Sequence, residues 1–186
     1  MKIIAPIIDL SNRVIDDIDK IISLYDLDFI EDLDISDTNI TDLDFLEQMI
    51  NLKTLDISGT MIKDISVLEN LSKLEVLIAH DAPIKYLWPL KNLINLKELR
   101  MERCSIISIH CLAKLKNLEY LNLYDNENID TIDALSDLQK LKELCIKGTG
   151  IIYPEQLNVL CKLNNLKILS VHYELEFMVD YIINHN

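Results

Sequence analysis

Residues that interrupt regular structure are scarce in this sequence, which has only three glycines and four prolines among 186 residues. A flexible linker between domains needs a stretch rich in glycine, serine or proline, and none occurs here. We therefore expect a single domain that spans residues 1–186. The same scarcity leaves no glycine-rich loop of the kind that holds a phosphate group.

Positive charge is also in short supply. The chain has 18 Lys and Arg against 31 Asp and Glu, which gives a formal net charge of −13. A protein that binds nucleic acid neutralises phosphates with a cationic surface, so we expect no nucleic-acid partner. Disorder is typical of highly charged chains with low hydrophobicity. Because 49% of these residues are hydrophobic, we expect a packed core instead.

Long hydrophobic runs are absent. No run approaches the roughly 18 residues of a membrane-spanning helix, and the apolar run at the N-terminus stops at Asp9 without a cleavage site for a secretory signal. The cysteines lack the close pairing of metal sites, and we expect four reduced thiols in the cytoplasm: Cys104, Cys111, Cys145 and Cys161. Export without a classical signal is the alternative location. Neither a metal nor a cofactor is expected.

A repeated pattern of apolar residues, by contrast, fills the chain. In segment 52–73 the apolar side chains fall at positions that we number columns 1, 4, 6, 11, 14, 17 and 20, namely Leu52, Leu55, Ile57, Ile62, Ile65, Leu68 and Leu71. The same series begins again at Leu74, 22 residues later. Repetition at a fixed period of this length is the signature of a solenoid.

Each repeat, here called a coil, is identified by its first residue. Coil 1 is placed at Ala5, and coils 2 to 8 begin at Ile30, Leu52, Leu74, Leu96, Leu118, Leu141 and Leu166. Coils 1, 6 and 7 are longer than the others, with 25, 23 and 25 residues. We expect an N-terminal cap with the first coil over 1–29, six repeats over 30–165, and a last strand with a C-terminal cap over 166–186.

The pattern within one coil predicts its local structure. Columns 3 to 7 read x-L-x-L-x, the alternation of a strand with one buried face. Because each strand recurs in the same direction, the strands are expected to form a parallel sheet. The return path has an apolar residue at every third position, which predicts short 3₁₀ or helical turns. The fold class is therefore α/β, a solenoid with a parallel sheet on the concave face and these turns on the convex face.

Column 9 and the chain ends complete the prediction. Column 9 holds residues suited to a buried turn: Thr38, Thr60, Ala82, Cys104, Asn126 and Thr149. Near the N-terminus, Ser11 or Asn12 is expected to cap a helix with Val14, Ile18 and Ile21. At the other end we expect a capping helix formed by Phe177, Met178, Tyr181 and Ile182.

The motif L-x-x-L-x-I-S-x-T-x-I-x-D-I, from Leu52 to Ile65, resembles the 22-residue leucine-rich repeat of internalin-type bacterial proteins. The resemblance extends from Ile30 to Val171. The resemblance implies a leucine-rich repeat solenoid. It also implies that a partner binds to the concave sheet, through the x positions of the strand pattern x-L-x-L-x. Secreted internalins carry signal peptides and fused cap or anchor domains, and this sequence matches neither feature.

We expect a non-catalytic module that binds a protein partner through the concave face, and we expect a monomer. Arg and Tyr are the residues in which binding energy concentrates, so Arg100, Arg103, Tyr120 and Tyr124 are the predicted anchor. The predicted edge is formed by His80, Asp81 and Asp125. The full predicted site consists of His80, Asp81, Glu98, Arg100, Glu102, Arg103, Tyr120, Asn122, Tyr124, Asp125, Lys147 and His172. The competing interpretation is that these are solvated strand residues that pack on their cross-strand neighbours.

Other interpretations stay open. The protein would alternatively be a secreted or host-directed effector or inhibitor of the same fold. A Cys145–His172 pair would make a thiolate nucleophile for a hydrolase, and the carboxylates of Asp32 and Asp34 would hold calcium; both are disfavoured because no further residues support them. Trp88, the one tryptophan, is expected to be partly buried in the core, with a binding spot on the convex side as the alternative.

Overall fold

A computed structural model describes residues 2–184. The parts of the predicted limits that fall on residues 1, 185 and 186 lie outside this range. Eight strands form one parallel sheet in chain order. The strands are β1 Ile7–Asp9, β2 Asp32–Asp34, β3 Thr54–Asp56, β4 Val76–Ile78, β5 Glu98–Arg100, β6 Tyr120–Asn122, β7 Glu143–Cys145 and β8 Ile168–Ser170. The predicted fold class, a solenoid with a parallel sheet, is confirmed.

The register of the sheet follows the repeat. Column 4 forms one buried row through all eight strands, made of Ile8, Leu33, Leu55, Leu77, Leu99, Leu121, Leu144 and Leu169. Each strand covers columns 3 to 5 and is therefore shorter than the predicted span of columns 3 to 7. The backbone bonds between coils nevertheless continue, since the Ile57 N–H donates to Ile78 O at 2.9 Å and the Gly59 N–H donates to His80 O at 2.7 Å.

The return path of each coil contains a short 3₁₀ helix, as predicted. The segments are Leu27–Phe29, Asp44–Gln48, Ser66–Asn70, Trp88–Asn92, His110–Lys114, Asp133–Leu135, Pro154–Lys162 and Tyr173–Met178. Their spacing follows from the apolar residue at every third position. Columns 11, 14, 17 and 20 thereby point into the core, and in coil 3 the residues at these columns are all buried: Ile62, Ile65, Leu68 and Leu71.

The core is one continuous stack of apolar side chains between the sheet and the return path. In coils 2 to 6, every apolar column residue from Ile30 to Leu138 is buried. A single coil leaves two open sides, and only neighbouring coils cover them. The sheet and its exposed face are therefore products of stacking rather than of any one coil.

Column 9 supplies the polar bonds inside this core. The hydroxyl of Thr60 donates to Ile57 O at 2.6 Å, and Thr38 and Thr149 make the equivalent bond in their coils. Asn126 is fully buried and does more, because its amide bonds four backbone groups of its own coil and the preceding one. These bonds satisfy turn groups that would otherwise be buried without a partner.

The N-terminal helix differs from the prediction. Helix α1 is Ile18–Ile22, and its cap is Asp17, whose side chain accepts from the Lys20 N–H at 2.9 Å. Ser11 is not a cap, because it donates to Asp9, and Asn12 adopts a left-handed φ of 58°. With the helix beginning later, Ile22 is buried while Val14 is 82% exposed.

The predicted C-terminal capping helix is present as α2, Val179–Asn184. It follows the 3₁₀ segment Tyr173–Met178 directly, and the apolar face that packs on the core includes Leu175 and Ile182. Tyr181 and Ile182 lie in this helix, whereas Phe177 and Met178 lie in the 3₁₀ segment before it, and the side chains of Phe177 and Tyr181 are exposed.

Candidate binding face

The concave face is built from two rows of side chains that alternate with the buried column 4. One row, column 3, runs through Asp32, Thr54, Val76, Glu98, Tyr120, Glu143 and Ile168. The other, column 5, runs through Asp34, Asp56, Ile78, Arg100, Asn122, Cys145 and Ser170. The face is acidic at β2 and β3, apolar at β4 and mixed from β5 onwards.

Column 8, just beyond each strand, is a left-handed turn position. Asn12, Asp37, Gly59, Asp81, Arg103, Asp125 and Gly148 occupy it, with φ between 53° and 75°. Gly, Asn and Asp tolerate this conformation best. The recurrence of these residue types in column 8 was a readable signal that the sequence analysis missed. Arg103 is the exception, because a long side chain is disfavoured there.

Arg103 is held by an ion pair with the preceding coil. Its Nε and one terminal nitrogen donate to the two carboxylate oxygens of Asp81 at 2.6 and 2.7 Å. The hydrogen bonds from Arg103 hold the pKa of Asp81 below its usual range, and the same bonds raise the pKa of Arg103. Both side chains are half-exposed. The guanidinium is thus oriented by one carboxylate while its outer face stays open to solvent.

Glu102 connects three coils on the same face. One of its carboxylate oxygens contacts Nδ1 of His80, and the other accepts from Nδ2 of Asn122 at 2.6 Å. Oδ1 of Asn122 in turn accepts from the Tyr124 N–H at 3.0 Å. Burial is the main cause that lowers the pKa of His80. This polar network fixes the orientation of side chains at the centre of the face.

Two adjoining hollows lie on this surface. The first has a volume of about 500 Å³ and is lined by Asp37, Ser58, Gly59, His80, Asp81, Glu102, Arg103, Asn122, Tyr124 and Cys145. The second has a volume of about 220 Å³ and is lined by Arg100, Tyr120, Leu121, Asn122, Glu143, Leu144, Cys145, Ile168 and Ser170. The four predicted anchor residues therefore gather around one continuous depression, with Glu98 paired to Arg100 beside it.

Some predicted residues lie apart from the hollows, and some lining residues were not predicted. Asp125, Lys147 and His172 line neither hollow. His172 packs on the ring of Tyr173 at 4.5 Å, at the start of the C-terminal cap. The lining residues that were not part of the predicted site include Asp37 and Ser58.

The geometry gives no support to a cysteine nucleophile. Cys145 pairs in register with Ser170 rather than His172. Burial raises the pKa of the Cys145 thiol, although the Lys147 N–H and the Ser170 hydroxyl oppose the shift. A thiolate nucleophile requires a lowered pKa. Cys145 is therefore a poor candidate for covalent chemistry.

The described part of the chain has neither a cluster of metal-binding side chains nor a membrane-spanning helix. Within residues 2–184, no group of three or more His, Cys, Asp or Glu side chains is placed to hold a metal ion. The carboxylate of Asp34 is bonded to the Ser36 N–H and hydroxyl at 2.9 and 2.6 Å, so this aspartate acts in a turn. In the same part of the chain, no helix is long and apolar enough to cross a membrane.

Trp88 is not a core residue, and the expectation that it packs there is wrong. Its side chain is 50% exposed at the start of the 3₁₀ segment Trp88–Asn92. The buried positions around it belong to Leu87, Pro89 and Leu90. Trp88 thus lies outside the stack, on the side of the molecule opposite to the sheet.

Comparisons with known proteins point to one fold. The sequence family described as Leucine Rich repeats (2 copies) matches residues 28–70 and 94–137. Among solved structures, the internalin inlF from Listeria monocytogenes is 26% identical with a TM-score of 0.76, over 86% of this chain and 48% of the internalin. The internalin C2 from the same organism is 29% identical with a TM-score of 0.76, over 83% of this chain and 66% of that protein.

A more distant structure shares the fold alone. The Arabidopsis receptor kinase HAESA, solved with the peptide hormone IDA and the co-receptor SERK1, is 22% identical with a TM-score of 0.65, over 77% of this chain and 26% of HAESA. No curated protein sequence matches the chain. The chain spans about half of inlF and just under two thirds of internalin C2.

Proposed function

We propose that this chain, a leucine-rich repeat protein with internalin-like repeats of 22 residues, is a non-catalytic module that binds a protein partner through its concave sheet. Domains of this fold commonly serve as protein interaction modules. The proposed anchor is Arg100, Arg103, Tyr120 and Tyr124. His80 and Asp81 form the edge on one side of it.

The observation that supports this proposal most strongly is the grouping of these side chains around one depression. Two arginines from coil 5 and two tyrosines from coil 6 line the two hollows. Arg and Tyr are enriched among residues that dominate binding energy, and such residues cluster at the centre of an interface. The ion pairs and the Glu102 network orient the cluster before a partner arrives, which lowers the entropic cost of binding.

The backbone of Arg103 adds a second argument. Its φ of 53° lies in the left-handed region, where the equivalent residues of coils 3 and 7 are Gly59 and Gly148. Residues held in disfavoured conformations tend to mark functional positions. The fold itself would accept glycine at this column. We therefore attribute the arginine to the needs of a binding partner.

The oligomeric state, the domain limits and the location of the protein are further proposals. We infer a monomer and a single domain with caps at 1–29 and 166–186 around six repeats. A cytoplasmic location is supported by the four free cysteines. Export as a host-directed effector is the second candidate, because two similar structures are Listeria internalins. Fractionation of the native host discriminates the two, since an effector must appear outside the cells that make it.

HAESA illustrates what the fold accommodates, since its structure contains a peptide hormone and a co-receptor. Its likeness to this chain is confined to the fold, and this chain leaves about half of inlF and about a third of internalin C2 unmatched. The identity of a partner for this chain therefore has to come from experiment.

Affinity capture from the native host, with quantitative mass spectrometry, tests the proposal. The face variant is Arg103→Ala with Tyr124→Ala, and its matched control is Arg13→Ala with Tyr153→Ala, because both control side chains are exposed and line neither hollow. We expect the wild type and the control to enrich the same partner and the face variant to lose it. Equal enrichment by the face variant, with unchanged circular dichroism, overturns the proposal.

A further inference from the structure

A second depression lies on the return path, away from the sheet. It has a volume of about 430 Å³ between coils 4 and 5, and Tyr86, Trp88, Ile107 and Cys111 are among the residues that line it. No residue is shared with either hollow of the concave face. We call it the return groove.

The walls of the return groove are held by backbone contacts between the two coils. Tyr86 and Ser108 form an isolated parallel bridge, and the Ile107 N–H donates to Lys85 O at 3.3 Å. Sγ of Cys111 donates to Leu87 O at 3.1 Å. The groove is therefore formed by ordered backbone and does not depend on mobile side chains alone.

The aromatic residues here are not required by the repeat. Tyr86 and Trp88 stand at columns 13 and 15, where coil 2 has Asp42 and Asp44, coil 3 has Asp64 and Ser66, and coil 6 has Thr131 and Asp133. Tyr86 is 61% exposed and Ile107 is 42% exposed. A cluster of large exposed apolar side chains on an otherwise polar return path is typical of an interaction site.

Charge distinguishes the same region from the rest of the molecule. Segments 82–97 and 104–118 contain no Asp or Glu, although the chain has a net charge of −13. They contain instead Lys85, Lys91, Lys97, Lys114 and Lys116. The return path of coil 6 beside it is acidic, with Glu127, Asp130, Asp133 and Asp137, whereas that of coil 3 on the other side balances Asp64 and Glu69 with Lys63 and Lys73. The groove thus lies in a cationic region that is bounded by negative charge on the side of coil 6.

One of these lysines is joined to the aromatic cluster. Nζ of Lys91 lies 5.7 Å from the centroid of the Trp88 ring, within the range of a cation–π interaction. Lys85 lines the groove directly. An occupant therefore meets an apolar floor with ammonium groups at its margin.

We propose that the return groove binds an acidic peptide segment of a partner protein, with one or two large apolar side chains inserted and carboxylates facing the surrounding lysines. The apolar walls select the inserted side chains, and the cationic surroundings favour flanking Asp and Glu by electrostatic complementarity. A groove of this volume is in the range of small-ligand sites and accommodates side chains rather than a folded domain. The site is independent of the concave face.

A random nine-residue display library without Trp, selected on the immobilised protein, tests this proposal. We expect enriched sequences to combine Asp or Glu with Leu, Ile or Phe. Because Trp88 is the one tryptophan, an enriched peptide made synthetically should shift the protein's fluorescence to shorter wavelength as it covers the ring. Enrichment of uncharged or basic peptides, or no shift of Trp88 emission, overturns the proposal.

Variants locate the binding on the groove. By fluorescence anisotropy of the labelled peptide, Trp88→Ala with Lys85→Glu should weaken binding at least about tenfold, while Trp88→Phe retains most of it. Lys20→Glu, on helix α1, is the charge-matched control and should bind like the wild type. The face variant Arg103→Ala with Tyr124→Ala should also bind normally, so failure of the concave proposal and failure of this one are distinguishable.

Two other occupants give opposite results. A second copy of the chain would shift Trp88 emission as protein concentration rises, with a dimer in analytical ultracentrifugation. An anionic membrane would shift it on addition of vesicles of phosphatidylcholine and phosphatidylglycerol at a ratio of about seven to three. Either result without peptide binding overturns the proposal.

Discussion

At the scale of single residues, the thiols show how the stack controls chemistry. Burial raises the pKa of Cys104 to about 12 and that of Cys111 to about 11. A raised pKa leaves less thiolate at a given pH, so both residues should be unreactive near neutrality. We expect iodoacetamide at pH 8 to alkylate Cys104 and Cys111 more than tenfold more slowly than the same residues in the urea-unfolded chain. Peptide mass spectrometry measures both rates, and comparable rates would contradict the burial of these thiols.

The sign of the pH effect on folding follows from the same shifts. The folded state keeps these thiols protonated to higher pH than the unfolded chain does. Stability from this source is therefore present at neutral pH and is lost as pH rises from the unfolded pKa of about 8.5 towards the folded values.

Replacement of Asn126 tests how much one buried side chain contributes to the stability of the stack. Oδ1 of Asn126 accepts from Cys104 N–H and Ile106 N–H at 3.2 and 2.9 Å, and its Nδ2 donates to Met101 O and Leu123 O at 2.7 and 3.0 Å. Asn126→Ala removes all four bonds and should lower the free energy of unfolding by about 2–5 kcal/mol in urea titration. This loss in the free energy of unfolding must exceed the loss caused by Thr60→Val.

Thr60→Val is the comparison variant for Asn126→Ala. Thr60 makes one side-chain bond, to Ile57 O at 2.6 Å, and valine conserves the shape of the side chain. This variant should cost about 1 kcal/mol. If the two variants are equally stable, Asn126 does not have the bridging role between coils that its bonds indicate.

At the scale of the elements, a variant in the turn after β5 tests stability and function separately. Arg103→Gly relieves a disfavoured left-handed backbone and loses only a half-exposed ion pair, and exposed ion pairs contribute little to stability. We expect the midpoint of urea unfolding to stay the same or rise, and partner capture to fall. A lower midpoint would show that the arginine is there for the fold.

Gly59→Ala is the converse test at the same column. Gly59 has a φ of 65°, and a Cβ would lie 2.1 Å from Oδ1 of Asp37. This variant should destabilise the protein by about 1–3 kcal/mol. Together the two variants test whether column 8 is a left-handed position throughout the stack.

Much of the architecture was predictable at this scale, because the apolar columns are both the repeat and the core. Register, coil limits, 3₁₀ returns and the column 9 bonds all follow from side chains that must meet their copies in the next coil. The shorter strands and the left-handed conformation of column 8 were missed because backbone conformation is a weaker signal in the sequence than apolar periodicity. At column 8 that signal is the recurrence of Asp, Asn and Gly. The late start of α1 was missed because Asp17 caps it, while Ser11 and Asn12 serve a turn.

The binding face was predicted less completely for a related reason. Column positions identify which side chains are exposed, but not which bond one another. The pairing of Arg103 with Asp81 and the contact of Glu102 with His80 and Asn122 depend on rotamers. The exposure of Trp88 was missed although its column 15 is not one of the apolar columns of the repeat.

At the scale of the whole molecule, the stack should tolerate the loss of a complete repeat. Leu77 lies between Leu55 and Leu99 in the buried row of the sheet. Removal of residues 74–95, which form coil 4, would make Leu55 and Leu99 direct neighbours in that row. Since each coil contacts only its neighbours, we expect a folded protein with a similar circular dichroism spectrum and a lower unfolding midpoint.

Removal of about half a coil, residues 74–84, is the control. It would put a return path where a strand is needed, so the shortened chain should lose cooperative unfolding. If both deletions behave alike, the coils are not interchangeable units and the register described above is not what holds the molecule together.

The concave face as the partner-binding surface is tested most directly by hydroxyl-radical footprinting of the captured complex. The chain has tyrosines both on and off this face, with Tyr120 and Tyr124 in the hollows and Tyr153 and Tyr181 exposed elsewhere. We predict that oxidation of Tyr120 and Tyr124 falls at least about threefold on binding, while that of Tyr153 and Tyr181 does not change. Unchanged oxidation of Tyr120 and Tyr124 in a complex that is intact would contradict the account.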